Sequence, residues 1–499
     1  MSETTATAPR PAPLTPDICV IGAGAAGLSL ATAAAAFRVP VVLVEHGSMG
    51  GSHPNAGDIS ARALGAAGAR AQAVREAGRF GISAGASQVN DVQVNDVQVN
   101  YARVHDHVQR VVAATARNDS AERLAALGVH LIRSEARFIS RSTVMAGDQA
   151  IKARRFVIAT GSRPSAPPLP GLDAVPFLTS ESLFSVTRRP ERLLVLGGGS
   201  TGVELAQTMA RLGSTVSIVE AGHLLPHADP EAALILRRAL LRDGITLHER
   251  ARVLRAETVK GGIRLVLAGP DGEADHKLDG THLLVATGRS PNIEALDLEL
   301  GGINSDIGGV IVDKGLRTGN RRVFAIGDCA SGAAGGPHSS HAAHDQAGLV
   351  LRNALFRLPV RTNATAIPHV TYCHPELASV GLSEVEARKR SNAITILRWP
   401  YAENDRAQAE HETDGFVKLV ADRRGRVLGA TIVGTGAGEL IAPWCIAVRK
   451  GLTVQDMAGL ALPYPTFSEA SKRAAMSFYA PLAAKPGIRR LIGFLSRFG

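Results

Sequence analysis

Cysteine is scarce in this 499-residue chain: Cys19, Cys329, Cys373 and Cys445 are the whole complement. No two are spaced as a CxxC pair, which excludes a zinc ribbon and a disulfide-stapled scaffold, and nothing implies an oxidising compartment. Long apolar runs are also missing. The longest, such as Leu28 to Phe37, fall far short of the ~20 residues a membrane span requires. Met1 to Pro16 is rich in Thr, Ala and Pro without an apolar core, so it does not read as a secretory leader, and the cytoplasm is the expected location. Glycine is plentiful at 52 residues but has no three-residue period, which excludes collagen. At 45% hydrophobic and 20% charged, the composition excludes a wholly disordered chain and a coiled coil. The length implies about three domains.

Lysine and arginine number 55 against 45 aspartates and glutamates, a net charge of +10. There is no block of like charge and no basic stretch interleaved with aromatics, so the surplus reads as a solvated surface rather than a nucleic-acid site.

What is present is a repeated device. The apolar run Ile18–Ile21 leads straight into Gly22-Ala-Gly24-Ala-Ala-Gly27, then an Ala-rich helical stretch, then Val41–Val44 ending at Glu45. In such a βαβ unit Gly22 permits the tight turn, Gly24 lets the backbone approach a pyrophosphate, and Gly27 allows close helix–strand packing. The helix N-terminus offers N–H groups to the phosphates, and Glu45 can accept from a ribose diol. Downstream, Leu193–Leu196 runs into Gly197-Gly-Gly199-Ser-Thr-Gly202, with Val216–Val219 ending at Glu220. Each acid follows its first glycine by 23 residues. Glu220 would repel a 2′-phosphate and no arginine follows it closely, so the second site should prefer NAD to NADP. Three further strands end in turns: Phe156–Ala159 at Thr160-Gly161, Leu284–Ala286 at Thr287-Gly288, and Val323–Ile326 at Gly327-Asp328.

On these motifs the chain, from about residue 16 to 480, resembles the class I pyridine nucleotide-disulfide oxidoreductases, the flavoproteins that include dihydrolipoamide dehydrogenase, glutathione reductase and mercuric reductase. The resemblance implies an α/β fold with two Rossmann-like nucleotide-binding domains, for FAD and NAD, and a C-terminal α/β dimerisation domain. Residues 1–15 are a disordered start, 16–165 and 286–362 the two parts of the FAD domain, 166–285 the NAD domain, 363–480 the dimerisation domain and 481–499 a basic tail. Gly22, Gly24, Gly27, Glu45, Gly51, Thr160, Gly161 and Asp328 fall to FAD, and Gly197, Gly199, Gly202, Glu220 and Gly288 to NAD(H). The run His341-Ala-Ala-His-Asp-Gln-Ala-Gly and the segment Ile367 to Gly381 are similar to the mercuric reductase branch. The active form implied is a homodimer about a two-fold axis.

The departure lies after Met49-Gly50-Gly51. There the family carries two cysteines that form a redox disulfide beside the flavin. This chain reads Ser52-His53-Pro54-Asn55-Ala56-Gly57-Asp58-Ile59-Ser60-Ala61-Arg62. Asn55 and Gly57 hold the register, so His53 and Asp58 occupy the cysteine positions and Arg62 the place of the family's lysine. The C-terminal His-Pro-Thr motif appears as Tyr464-Pro465-Thr466, with Glu469 retained, and the tail from Ser477 carries no cysteine pair. Thiol–disulfide chemistry needs an attacking thiolate and a resolving sulfur. Without them, dihydrolipoamide, glutathione and mercuric-ion reduction are disfavoured. Cys19 lies inside the first strand, and Cys329 reads as packing beside the Gly-Asp turn.

Asp58 and Arg62, at i and i+4, share a helix face. They form either an ordinary surface pair or, with His53, a proton-handling set in the vacated pocket. Glu204 matches the acid that pairs with the family's lysine, so its expected partner is Arg62. Tyr464 and Glu469 either cap the pocket from the partner subunit, or Tyr464 is a buried, hydrogen-bonded tyrosine. The five-residue tandem repeat over 88–100 reads as a loop. The tail Gly487 to Phe498 is basic and partly amphipathic, suited to an anionic membrane surface or to packing on the dimer. The expected activity is NADH oxidation with a small-molecule, non-disulfide acceptor: a quinone, a dye or oxygen. A transhydrogenase and a non-catalytic flavin-bound sensor are the alternatives.

Overall fold

A computed structural model describes residues 11–82, 97–269, 275–333, 339–391, 393–483 and 485–498, without the side chains of residues 53, 54, 482 and 483. They form two compact units. One comprises residues up to 197 with 211–214 and 253–364; the other comprises 198–210, 215–252 and 365 onward.

In the first unit the apolar runs noted above become central strands. β1 (Ile18–Ile21) is buried along its whole length, as expected of a parallel strand covered on both faces. It pairs in parallel with β2 (Val41–Glu45), which pairs with β3 (Val129–Arg133). On its other side lie Arg155–Ile158 and then Val323–Ala325, completing a five-stranded parallel sheet. α1 (Ala25–Ala36), rich in the best helix former, links β1 to β2. α2 (Ser52–Ala56), α3 (Asp58–Glu76), α4 (Tyr101–Ala116) and α5 (Ala121–Ala126) separate β2 from β3. Far along the chain, α8 (Ser340–Phe356) returns to lie on α1. Residues 88–96 of the tandem repeat lie outside the described residues. The same unit holds the strand Arg192–Leu196, which pairs in parallel with His282–Val285.

The second unit contains α6 (Ser200–Arg211), α7 (Pro230–Arg242) and the parallel pair Thr215–Val219 and Thr246–His248. Its larger part is a five-stranded antiparallel sheet in the order His369–Thr371, Glu376–Gly381, Val427–Gly434, Phe416–Asp422, Ile394–Pro400. Tyr401 and Trp444 are among the large side chains in its core. Lys418 is buried here: its Nζ reaches Asp229 Oδ2 at 2.9 Å, Glu231 Oε1, and Glu384 Oε2 at 3.6 Å. Asp229 also caps α7, accepting from the Glu231 N–H at 3.0 Å.

The fold is the α/β class expected. No helix among the described residues is long and apolar enough to cross a membrane.

Candidate dinucleotide sites and the vacated disulfide position

The first glycine-rich turn divides its glycines by what surrounds them. A Cβ on Gly22 would sit 2.4 Å from the Ala159 carbonyl oxygen, and one on Gly27 would sit 1.9 Å from the Gly22 carbonyl oxygen. Those two positions are closed by backbone, and Gly22 also has φ +104. A Cβ on Gly24 would meet nothing within 4 Å. An open backbone face above a helix N-terminus is the cradle a pyrophosphate needs. Glu45 closes the unit: Oε2 accepts from the Ala23 N–H and Oε1 from the Gly47 N–H, each at 2.6 Å. Each carboxylate oxygen keeps a lone pair for a ribose hydroxyl.

The second turn repeats the arrangement. Glu220 Oε2 accepts from the Gly198 N–H at 2.6 Å and Oε1 from the Gly222 N–H at 2.8 Å. A Cβ on Gly199 would meet nothing within 4 Å, whereas one on Gly197 would lie 2.5 Å from the Ala286 carbonyl oxygen. Gly202 lies in the first turn of α6. Sequence spacing missed one neighbour of this turn. Arg250 donates its N–H to the Gly222 carbonyl oxygen, and its guanidinium reaches the His223 ring at 3.1 Å.

The two Thr-Gly turns form one ribbon. Ser162–Pro164 and Arg289–Pro291 pair antiparallel, and Ser165 N–H donates to the Gly288 carbonyl oxygen at 3.0 Å. Gly288 therefore sits against the first unit's ribbon. Asn292 binds both sides of the first turn, donating from its side chain to the Thr160 carbonyl oxygen and from its backbone to that of Gly161. The Ser162 hydroxyl donates to Asp328 Oδ2 at 2.6 Å, and Arg289 donates to Ser162 Oγ at 2.7 Å. The acid at the Gly-Asp turn is thus held in place beside Gly161, whose Cβ position is open.

A third cluster stands next to the first turn. Gly50 N–H donates to the Ala23 carbonyl oxygen, and Gly51, at φ +63, would place a Cβ 3.1 Å from the Gly24 Cα. The Asn55 amide clamps this segment by donating to the carbonyl oxygens of Met49 and Gly51, at 2.9 and 2.7 Å. Asp58 opens α3, where a carboxylate is favoured by the helix dipole. Its Oδ2 accepts from the hydroxyl of Ser340, the first residue of α8, at 2.5 Å. His341 follows, its ring 3.1 Å from Ser339 Oγ.

Comparison with known proteins gives this arrangement a family. Residues 16–347 match the model described as pyridine nucleotide-disulphide oxidoreductase, and residues 367–475 match the dimerisation domain of the same family. The chain belongs to this family. It is similar to a mercuric reductase of Bacillus cereus, 34% identical over 474 residues that cover 93% of this chain and 71% of the relative. It is also similar to a dihydrolipoyl dehydrogenase of Geobacillus stearothermophilus, 32% identical over 464 residues covering 91% and 94%. Among solved structures, LpdA from Mycobacterium tuberculosis superposes with a TM-score of 0.82 at 25% identity, over 93% of this chain and 99% of that one.

Members of the family bind FAD and use NAD(P)H, and the residues present fit both. Gly24, Gly161 and Gly199 leave open backbone, and the carboxylates of Glu45, Asp328 and Glu220 are held beside those turns, as such dinucleotides would require.

The four cysteines lie apart from the segment Ser52–Arg62. None of the four is in a disulfide; Cys19, Cys329 and Cys373 are buried and Cys445 is half-buried. Burial pushes the Cys19 thiol up to about 12 and also raises Cys329 and Cys445. The Cys329 thiol donates to the Ile326 and Ile158 carbonyl oxygens. Of the residues that the resemblance places at the family's cysteine positions, His53 lies on α2 with its side chain outside the described residues, and Asp58 meets Ser340. Arg62 sits one turn further along α3.

One alternative changes at the other end of the chain. Tyr464 is not buried in the single chain: it is 68% exposed, with its hydroxyl donating to Asp405 Oδ2 at 2.5 Å. That bond raises its pKa, so near neutral pH the phenol keeps its proton. Glu469 accepts from Arg473 one turn later. Glu204 has a partner that local motif reading could not reach. Its Oε1 accepts from the Tyr372 N–H at 2.7 Å. With Ser200 on Thr371 at 2.8 Å and Gln207 on both backbone groups of His374, it forms a row at i, i+4 and i+7 that stitches one face of α6 to the strand His369–Thr371 and its continuation.

Proposed function

We propose that this protein is an FAD-dependent NADH oxidoreductase that passes electrons to a non-disulfide acceptor, a quinone, dye or oxygen, as a homodimer. The observation that carries the reading is the Asp58–Ser340 contact, which the resemblance puts where the family holds its redox cysteines, in a chain whose four thiols are buried or half-buried. The relatives' names refer to mercuric and dihydrolipoyl substrates, and both reactions need accessible thiolates. Bound FAD would supply the two-electron chemistry. The chain's own residues do the rest. Gly24 and Glu45 hold the adenosine end of FAD; Gly199 and Glu220 hold NADH, the latter carboxylate disfavouring a 2′-phosphate. Arg62 keeps a cation at the family's lysine position.

Reduction of a quinone consumes two electrons and two protons, and oxidation of NADH releases two electrons and one proton. The second proton must come from protein or solvent. Asp58, exposed and already accepting from Ser340, is the group assigned to hold and deliver it, with His53 as its neighbour in sequence. Glu204, Tyr464 and Glu469 enter as residues that position the site, Tyr464 and Glu469 across the two-fold axis.

The tail supports a membrane-surface contact that would suit a quinone acceptor. At about 100° per residue, the helix Pro486–Leu495 and its continuation set Ile488, Leu491, Ile492, Phe494, Leu495 and Phe498 on one side and Arg489, Arg490 and Arg497 on the other. Five of the six apolar side chains are more than half exposed.

The deciding experiment is anaerobic NADH titration of the purified protein, followed by a panel of acceptors. NADH should bleach the visible flavin band, and quinones or dyes should restore it with turnover. A band that persists in excess NADH would mean a binding protein instead, and brisk turnover with lipoamide or glutathione disulfide would overturn the acceptor assignment.

A further inference from the structure

A second concentration of charge lies at the far end of α8. Seventeen residues of helix place its C-terminus about 25 Å from the Ser340–Asp58 contact. There a concavity of about 490 Å³ is lined by Lys314, Arg317, Arg357 and Arg361, with Asp313 as its one acid. The exposed Asp313 carboxylate is engaged locally, accepting from the backbone N–H groups of Gly315 and Arg317 at 2.7 and 3.0 Å.

Two features set this patch apart from an ordinary basic surface. First, its cations have no carboxylate partners. Elsewhere in the same unit Arg163 pairs with Glu294, Arg137 with Asp297 and Arg154 with Asp17. Among the described residues no ion pair involves Lys314, Arg317, Arg357 or Arg361. Arg155 and Arg322 add to the same field: burial lowers the Arg155 pKa, and Arg154, Arg317, Arg322 and Arg357 lower it further. Second, the geometry is fixed. Buried Asn353 accepts from the Arg317 guanidinium at 2.8 Å and donates to the Leu358 carbonyl oxygen at 2.8 Å. One amide thereby holds both the Arg317 fork and the loop that carries Arg361. Thr362 N–H ties that loop to the Lys314 carbonyl oxygen. The Arg317 guanidinium also lies 5.9 Å over the Phe324 ring.

Four positive groups gathered in a concavity with a single carboxylate repel one another, and a multivalent anion relieves that repulsion on binding. Planar guanidinium forks suit phosphoryl oxygens in particular. We propose that this concavity is a binding site for a soluble polyanion carrying two or more phosphoryl groups, separate from the dinucleotide turns.

The test uses the full-length flavoprotein and inorganic tripolyphosphate, titrated calorimetrically at constant ionic strength. Tripolyphosphate should bind and raise the melting temperature, with an affinity at least about tenfold above that of orthophosphate or sulfate. The exposed double variant Lys314→Gln/Arg361→Gln should lose about tenfold or more in affinity while flavin content and NADH-dependent bleaching stay at their original level. A second variant, Arg357→Glu, should abolish binding by charge reversal. Absence of binding, equal binding of all three anions, or undiminished binding by both variants would overturn the proposal. So would displacement of tripolyphosphate by NADH, which would put it in a dinucleotide site.

Discussion

A single methyl group has opposite consequences at two glycines three residues apart. At Gly27 a Cβ would lie 1.9 Å from the Gly22 carbonyl oxygen, with no room for the backbone to yield. Gly27→Ala is therefore expected to destabilise the first unit by several kcal/mol, about 3 or more, read as a lowered denaturation midpoint. At Gly24 the same atom meets nothing, so Gly24→Val should fold normally and emerge from purification without flavin, seen as loss of visible absorbance. On the proposed role of Asp58, Asp58→Asn keeps the hydrogen bond from Ser340 but removes the proton that the carboxyl would deliver. Acceptor turnover should fall by about 100-fold, with the acid-dependent limb of its pH profile lost, whereas Asp58→Glu should restore part of both.

At the scale of elements, the second unit depends on a buried cation. Hydrogen bonding to Lys418 holds the Glu231 carboxyl below its ordinary value, against the opposing effect of burial. A carboxyl depressed in the folded state contributes its stability above its unfolded pKa and loses it as the pH falls through the folded value. Burial alone would lower the Lys418 ammonium, but the bonds it donates to Glu231 and Asp229 raise it. Its contribution is present below its unfolded pKa and is lost only as the pH rises through the folded value, above 10.5. Lys418→Met leaves Asp229 buried without its cation, and unfolding by urea should show a loss of about 3–5 kcal/mol. The same scale explains what the sequence revealed. The dinucleotide turns were legible because glycines and acid sit within 23 residues of one another, so spacing carries geometry. The row on α6 was not: Ser200, Glu204 and Gln207 find their partners at 371, 372 and 374, through tertiary folding that no local motif encodes. Ser340 on Asp58, 282 positions apart, and Arg250 beside Gly222 were hidden for the same reason.

For the whole molecule, location becomes a measurable property of the tail. From residue 470 onward there is no Asp or Glu, while Lys472, Arg473, Lys485, Arg489, Arg490 and Arg497 are all basic. The full chain should co-sediment with anionic vesicles and not with zwitterionic ones, and rising salt should release it. A chain ending at residue 484 should stay in the supernatant with its flavin and NADH oxidation intact. Substituting Leu491 and Phe494 by Glu should have the same effect, which would separate apolar insertion from charge alone. The placement of the thiols carries a consequence of another kind. Enzymes that work through an exposed dithiol are open to arsenicals, alkylating agents and peroxide. Here Cys19 and Cys329 are enclosed within the first unit and held protonated by burial. If Asp58 stands where the family has sulfur, as proposed, NADH oxidation is expected to persist after treatment with iodoacetamide or phenylarsine oxide, poisons to which a catalytic dithiol is vulnerable.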